Sequence, residues 1–442
     1  MENLLEKITQ LEIEHDGLDP EIVKKRNVKL GLRNLNGTGV VAGITSKGQV
    51  KGYERRGGHN IAVPGKLYYC GYDVEEIVKN VEQDRRFGYD ETVYLLLTGE
   101  LPAAGDLESF SRELASRRAL PEVAKKIIRF NSENDDLMGA LHGAISALHK
   151  FDSNPRSTDI GDVTRQCIDL IAKFPTIIAC NYNVLRSDDS KSHPLVEPDE
   201  GLGTAENFLY MLDGKIPDKA AAHIFDIALI LHAEHGGGNN STFTVRTVSS
   251  TLTDTYMAIC AGIASLAGYL HGGASESVAG MMDDMKDKLR DLEDDDEISA
   301  YLNEILEKKQ YDRSGKIYGL GHAVYTVSDP REPILKEKAL YLAREAGRLS
   351  EYHLYEKVAD LSVKIIRKKK GKRACPNVDF YSGFVYDMLG IPRELFTPIF
   401  AMSRVAGWAA HRIEEIIQGK LIRPSYTSSL SDMNSYIPLS RR

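Results

Sequence analysis

Over most of the chain, apolar residues recur three and four positions apart rather than in alternation, and this spacing most restricts the fold. It is plain in Leu107–Leu114 and in Asp136–Ile145, where it gives one apolar helix face. Prolines at Pro102, Pro121, Pro175, Pro194, Pro217, Pro330, Pro392 and Pro398 cut the sequence into helix-sized pieces. Sustained alternation of strand and helix is absent, and short strands are expected only in the glycine-rich region from Gly37 to Tyr72. The expected class is all-α. No internal repeat or low-complexity linker marks a boundary, so domains discontinuous in sequence are expected.

A chain of 442 residues can bury a large core, and 27% charged with 42% hydrophobic residues is an ordinary soluble composition. A net charge of −8 argues against a general nucleic-acid binder. Five cysteines, without a CxxC pair, read as reduced thiols. Met1–Arg26 alternates acidic and apolar residues and resembles neither a secretory signal nor a transit peptide. The most apolar stretch, Thr255–Leu270, is too short and too interrupted to span a bilayer. No membrane partner and a cytoplasmic location are therefore expected.

Three motifs hold a potential catalytic group between glycines or prolines: Leu270-His271-Gly272-Gly273, Gly319-Leu320-Gly321-His322, and Pro376-Asn377-Val378-Asp379-Phe380-Tyr381. Two histidines and a carboxylate on open backbone suit acid–base chemistry on a small substrate. His271 is expected at the C-terminal end of a helix, Thr253–Leu270, whose dipole favours a proton on the imidazole; Gly272-Gly273 ends that helix. Gly319–His322 has a second reading, a helix N-terminus holding a phosphate. Asp379 is either a helix N-cap or a partly desolvated base flanked by Val378, Phe380 and Tyr381.

His232 and His235 have metal-like spacing, but HExxH and a cysteine cluster are absent, so no metal is expected and His235 reads as a substrate ligand. Gly37-Thr38-Gly39 imitates a dinucleotide fingerprint without the strand that should precede it. Arg331, Arg404 and Arg423 each adjoin a rigid element and together would match a polycarboxylate. The runs Asp291–Glu297 and Arg367–Arg373 read as a solvated turn and a solvated loop; the basic run, close before Asp379, also suits phosphates.

These motifs, with Lys66–Asp73, Tyr94–Pro102, Ala172–Ile177, Leu395–Phe400 and Trp408–His411, resemble the citrate synthase family in its bacterial branch. The first sixty or so residues match less well, and Ala323 departs from the arginine that follows the histidine in many bacterial relatives. The resemblance implies a large helical domain (1–274 and 387–442), a small helical domain (275–386), and an active site in the cleft between them. It implies condensation of acetyl-CoA with oxaloacetate and hydrolysis of the citryl thioester, in a homodimer without a permanently bound cofactor. Asp379 would take the methyl proton, His271 would hydrogen-bond the thioester oxygen, and His322 would bind the oxaloacetate carbonyl. His235, Arg331, Arg404 and, from the second subunit, Arg423 would hold the carboxylates. Coenzyme A would lie along Lys316, Ile317, Tyr318, Gly319 and Gly321, with Lys370 near a phosphate.

Two other functions fit the same sequence. A 2-methylcitrate synthase would use propionyl-CoA with the same residues, and one methylene is worth only about 1–3 kcal/mol of discrimination. A non-catalytic CoA-binding or assembly protein would be expected to lack His271, His322 or Asp379, and all three are present.

Overall fold

A computed structural model describes residues 2–15, 19–57, 59–131, 136–186, 195–428 and 435–441. The chain divides into two compact units, Met1–Ile44 with Ile422–Arg442, and Thr45–Leu421. The first holds helices α1 (Glu2–His15) and α2 (Pro20–Lys25), the latter capped by the Asp19 carboxylate. Its N- and C-terminal segments are joined by Arg26 donating to Thr427 Oγ1 at 2.9 Å. The described residues beyond Ile422 are exposed, Arg423 among them.

The second unit opens with an antiparallel sheet ordered β1 (Gly48–Arg56), β2 (His59–Tyr69), β3 (Tyr72–Asp73), inside the region where strands were expected. Helices follow as α3 (Val74–Gln83), α4 (Tyr89–Thr98), α5 (Ala104–Ser116), α6 (Glu122–Asn131), α7 (Leu137–Leu148) and α8 (Ile160–Leu185). Next come α9 (Thr204–Asp213), α10 (Lys219–His232), α11 (Asn240–Ser249), α12 (Thr255–Ala267) and α13 (Ala274–Lys288). The unit closes with α14 (Asp295–Leu306), α15 (Glu332–Glu345), α16 (Leu349–Lys370), α17 (Val378–Met388) and α18 (Phe396–Gln418). The all-α class is right.

Helices α10 and α18 are buried on nearly every face; α10 is mostly apolar, whereas α18 also buries Arg404, His411, Arg412, Glu414 and Glu415. They form the centre on which α4, α8, α11 and α12 pack, and Trp408 of α18 has no exposed surface.

Several local expectations are corrected. Pro175 lies inside α8 rather than at a boundary, while Pro194 falls outside the described residues. Helix α12 ends at Ala267, so His271 belongs to the turn before α13 and not to a helix C-terminus. The acidic run is not merely a turn, since Asp294 caps α14 through the Asp296 and Glu297 amides. Arg367–Lys370 form the last turn of α16, where the helix dipole favours cations, and left-handed Gly371 ends it.

Candidate active site

Backbone pairing first brings two motifs together. Leu320 bridges Pro376 in antiparallel fashion, with Asn377 N donating to Gly319 O at 2.9 Å and Gly321 N to Cys375 O at 2.8 Å. The Asn377 amide adds a bond to Gly321 O at 2.8 Å. Gly319 has φ +73°, and a Cβ there would lie 2.7 Å from the Phe380 ring, so only glycine permits this approach. No helix begins in this segment, which removes the phosphate-at-a-helix reading of Gly319–His322.

The backbone also fixes the proton on His322. Its Nδ1 accepts from the amides of Val324 (3.0 Å) and Tyr325 (3.1 Å), so in the neutral ring Nε2 carries the hydrogen. The ring stacks on buried Tyr325 at 4.6 Å and meets His235 edge-on at 4.9 Å.

His271 is held the opposite way round. Its Nε2 accepts from the Ser241 amide at 3.3 Å, and an amide can only donate, so Nδ1 carries the hydrogen. Ser241 Oγ lies 3.0 Å from the same nitrogen and itself accepts from Trp408 Nε1 at 3.1 Å. Burial, assisted by the Arg404 charge, pushes His271 down to about 4, so the ring is neutral at physiological pH. The expectation of a dipole-favoured proton is therefore reversed, because His271 lies beyond the end of α12 and is buried near a positive charge.

Asp379 is the second residue of α17, and Asn377, not Asp379, caps the helix by accepting the Asp379 amide at 3.0 Å. Burial raises its carboxyl above the ordinary range, against the pull of Arg331 and a hydrogen bond from Ser275 Oγ at 3.0 Å. A carboxylate held this way is a stronger base.

The cations differ among themselves. Arg331 is 3% exposed and already paired in a fork with Asp329, at 2.9 Å from Nε and 2.7 Å from Nη2. Arg404 is wholly buried and donates Nε to His232 O at 2.7 Å, while its guanidinium lies 4.7 Å from the Phe400 ring centre. Both its terminal nitrogens are buried without a hydrogen-bond partner, and burial lowers it to about 10. His235 Nε2 is likewise buried and unpartnered. Burial, then the charges of Arg331, His322 and Arg404, push His235 well below its ordinary value. An anion bearing acceptors would satisfy this set.

Glu234 fixes the turn that presents His235. Its Oε1 accepts from His411 Nε2 at 2.9 Å and from the Gly236 amide at 2.5 Å. His232 is used structurally, with Nδ1 bonded to Ala228 O at 2.7 Å. Among the described residues, no group of three or more His, Cys, Asp or Glu is placed to hold a metal.

The remaining candidates are less engaged. Ile317 is buried, Tyr318 hydrogen-bonds Asp312, Lys316 is exposed, and Lys370 is exposed at the end of α16. Residues not singled out from the sequence are Ser241, Ser275, Glu234, Asp329 and Asn377. The pairs Asp329-Pro330-Arg331 and Asn377-Val378-Asp379 carried a signal for two of them, as short polar residues poised to bond neighbouring backbone or guanidinium.

Comparison with known proteins gives the family. The family model for the citrate synthase C-terminal domain matches residues 35–425. The chain belongs to the citrate synthase family. It is thus an enzyme of acyl transfer. The citrate synthase of Haloferax volcanii is 40% identical over 81% of this chain and 88% of its own. The 2-methylcitrate synthase of Shewanella oneidensis is 33% identical over 85% and 92%. Among solved structures, Thermotoga maritima citrate synthase matches with a TM-score of 0.75 at 31% identity, covering 94% of this chain and 99% of its own. That of Thermoplasma acidophilum, solved with carboxymethyl coenzyme A and oxaloacetate, gives a TM-score of 0.76 at 26% identity over 94% and 99%. Among the described residues, no helix is long and apolar enough to cross a membrane.

Proposed function

We propose that this chain condenses acetyl-CoA with oxaloacetate and hydrolyses the resulting citryl thioester to citrate and CoA. The observation that carries the reading is Arg404, wholly buried with both terminal nitrogens unpartnered, coupled electrostatically to Arg331 and with His235 Nε2 equally unpartnered. Buried donors left empty are costly, and a dicarboxylate with a carbonyl supplies what they lack.

The reaction follows from the proton positions. Asp379 takes a proton from the acetyl methyl while His271 Nδ1–H donates to the thioester oxygen, so the developing enolate meets a fixed donor. His322 Nε2–H polarises the oxaloacetate carbonyl and supplies the proton that carbonyl oxygen needs as the carbon–carbon bond forms. Water then cleaves the thioester in the same pocket. His235, Arg331 and Arg404 hold the carboxylates, and Arg423 reaches the site from the second subunit of a homodimer. Coenzyme A lies along Lys316–Gly321 with Lys370 at a phosphate. A small domain, 275–386, carries His322, Arg331 and Asp379 and closes on the remainder, excluding water from the enolate. The enzyme works in the cytoplasm, without a permanently bound cofactor, a membrane or a nucleic acid.

The 2-methylcitrate synthase relatives support a second substrate, propionyl-CoA. Thiol release with oxaloacetate and either acyl-CoA tests both readings. Faster turnover per KM with acetyl-CoA is expected. Preference for propionyl-CoA would make the second reading primary, and no release with either would overturn both.

A further inference from the structure

Asp379 is the base of the proposed reaction, and nothing in that reaction says what aims it. An acid in the first turn of a helix is drawn towards the free amides at that terminus. Here Asn377 Oδ1 takes the amide of Asp379 itself, and the Asp379 carboxylate is engaged from another helix. Ser275, second residue of α13, donates to Asp379 Oδ1 at 3.0 Å, and its Oγ lies 2.9 Å from Ser382 Oγ of α17. Both serines are buried, Ser382 completely.

The direction of this chain is forced by valence. An ionised carboxylate only accepts, and a hydroxyl has one hydrogen, so Ser275 gives its hydrogen to Asp379 and must accept from Ser382. The two helices lie close enough for this because residue 383 is glycine: a Cβ there would come 2.9 Å from Ser275 O. The same short turn that delivers His271 delivers Ser275 four residues later. One segment therefore places both the donor for the enolate and the anchor for the base.

We propose that Ser275, backed by Ser382, is a positioning residue for proton abstraction, holding Asp379 Oδ1 so that Oδ2 is the oxygen that meets the carbon acid. This rests on Asp379 being the base. A hydrogen bond from a hydroxyl is stronger to the carboxylate than to the carboxylic acid, so Ser275 also favours the ionised form. The other groups acting on Asp379 are Arg331 and Asp329 from the loop before α15, Arg404 from α18, and the Tyr386 phenol on its own helix. None of them is changed by altering Ser275.

The test is the pH profile of kcat/KM for acetyl-CoA in Ser275→Ala, Ser382→Ala and Asp379→Asn, with oxaloacetate affinity measured by calorimetry. In Ser275→Ala the acid limb is expected to move up by about one to two pH units, the span of a hydrogen bond to a charged group. Turnover at pH 7 is expected to fall about 10-fold while oxaloacetate affinity stays within about twofold. Ser382→Ala should shift the limb in the same direction by less, and it carries the test alone if alanine at 275 does not fold. An unmoved acid limb, or an equal loss at every pH, would overturn the role of the serines. With Asp379→Asn inactive, that failure would leave the base assignment standing. Near-normal turnover in Asp379→Asn would overturn both.

Discussion

Arg404, on α18, and Arg246, packed against that helix from α11, are both buried guanidiniums, and the fold treats them in opposite ways. Arg246, from α11, lies 2.5 Å from Glu414 Oε2 and 2.8 Å from His411 Nδ1, and donates to Gln418 Oε1 at 3.0 Å. It is also in ion-pair range of Glu415 Oε2, at 2.8 Å, though not aligned for a hydrogen bond. Arg404 has one backbone carbonyl and two idle terminal nitrogens. Removing one member of a buried, paired set is costly because it strands the other, whereas a buried charge without hydrogen-bond partners costs stability and marks a candidate ligand site. Glu234 links the two regions, as it bonds His411 on one side and acts electrostatically on Arg404 on the other.

The sharpest expected effect is at Asp379. Asp379→Asn should lower turnover by about 10²–10⁴-fold in a thiol-release assay. Its folded-state acidity is weakened by burial, so the carboxylate's contribution favours folding below the unfolded value and is lost as pH rises through the folded one. At pH 7 the ionised group is therefore a burden, and the asparagine variant should melt no lower than the parent in calorimetry. A large drop in melting temperature would show that Asp379 is structural.

Exchanging each arginine for methionine breaks the comparison directly. Arg246→Met strands Glu414 and Glu415 and should destabilise by about 3–5 kcal/mol in denaturant titration. Arg404→Met removes a buried charge whose terminal nitrogens have no hydrogen-bond partner, so stability should hold or rise while oxaloacetate affinity falls about 30-fold or more, as for loss of a charged hydrogen-bond partner. If both variants unfold alike, the distinction between a paired and a waiting cation fails.

Histidines sharpen the same contrast by pH. His232 and His271 are held down at about 3 and about 4, chiefly by burial, and His235 lies well below its ordinary value. Groups with depressed values give stability that is present above the unfolded value near 6.5 and lost as pH falls through the folded ones. His411 is raised: burial opposes its charge, but Glu234 and Glu414 outweigh that. Its contribution runs the other way, being present below about 6.5 and lost as pH rises. The three lowered histidines should make the melting temperature decline between about pH 6.5 and about 4, whereas His411→Gln should leave that decline in place and remove the loss of stability above about pH 6.5. A flat profile would contradict the assigned charge states.

The smallest effect tests subunit sharing. Asp379→Gly and Arg423→Ala chains, each nearly inactive alone, should recover activity when co-folded, because one site in each mixed dimer regains both residues. Mixed dimers without recovered activity would place Arg423 within its own subunit or outside the reaction.

How much of this was legible in sequence depended on range. Helical spacing and proline punctuation are local, so class and most elements could be read directly, although Pro175 shows that tertiary packing absorbs a proline within a long buried helix. Residues between glycines were legible as candidates because glycine marks close approach. Their protonation was not, since the tautomers of His271 and His322 are set by amides at Ser241, Val324 and Tyr325, and Ser241 is thirty residues away. Arg331 and Arg404 looked alike in sequence. Only the fold shows that one is paired with Asp329 and the other has no hydrogen-bond partner beyond a carbonyl.

Calorimetric titration of oxaloacetate into Asp379→Asn and Arg404→Met, side by side, tests the central claim most directly. The account requires Asp379→Asn to bind with near-parental affinity while remaining unable to release thiol, and Arg404→Met to stay folded but lose most of its binding. Undiminished binding by folded Arg404→Met would contradict it, because the buried, unpartnered guanidinium would then have no part in holding the dicarboxylate.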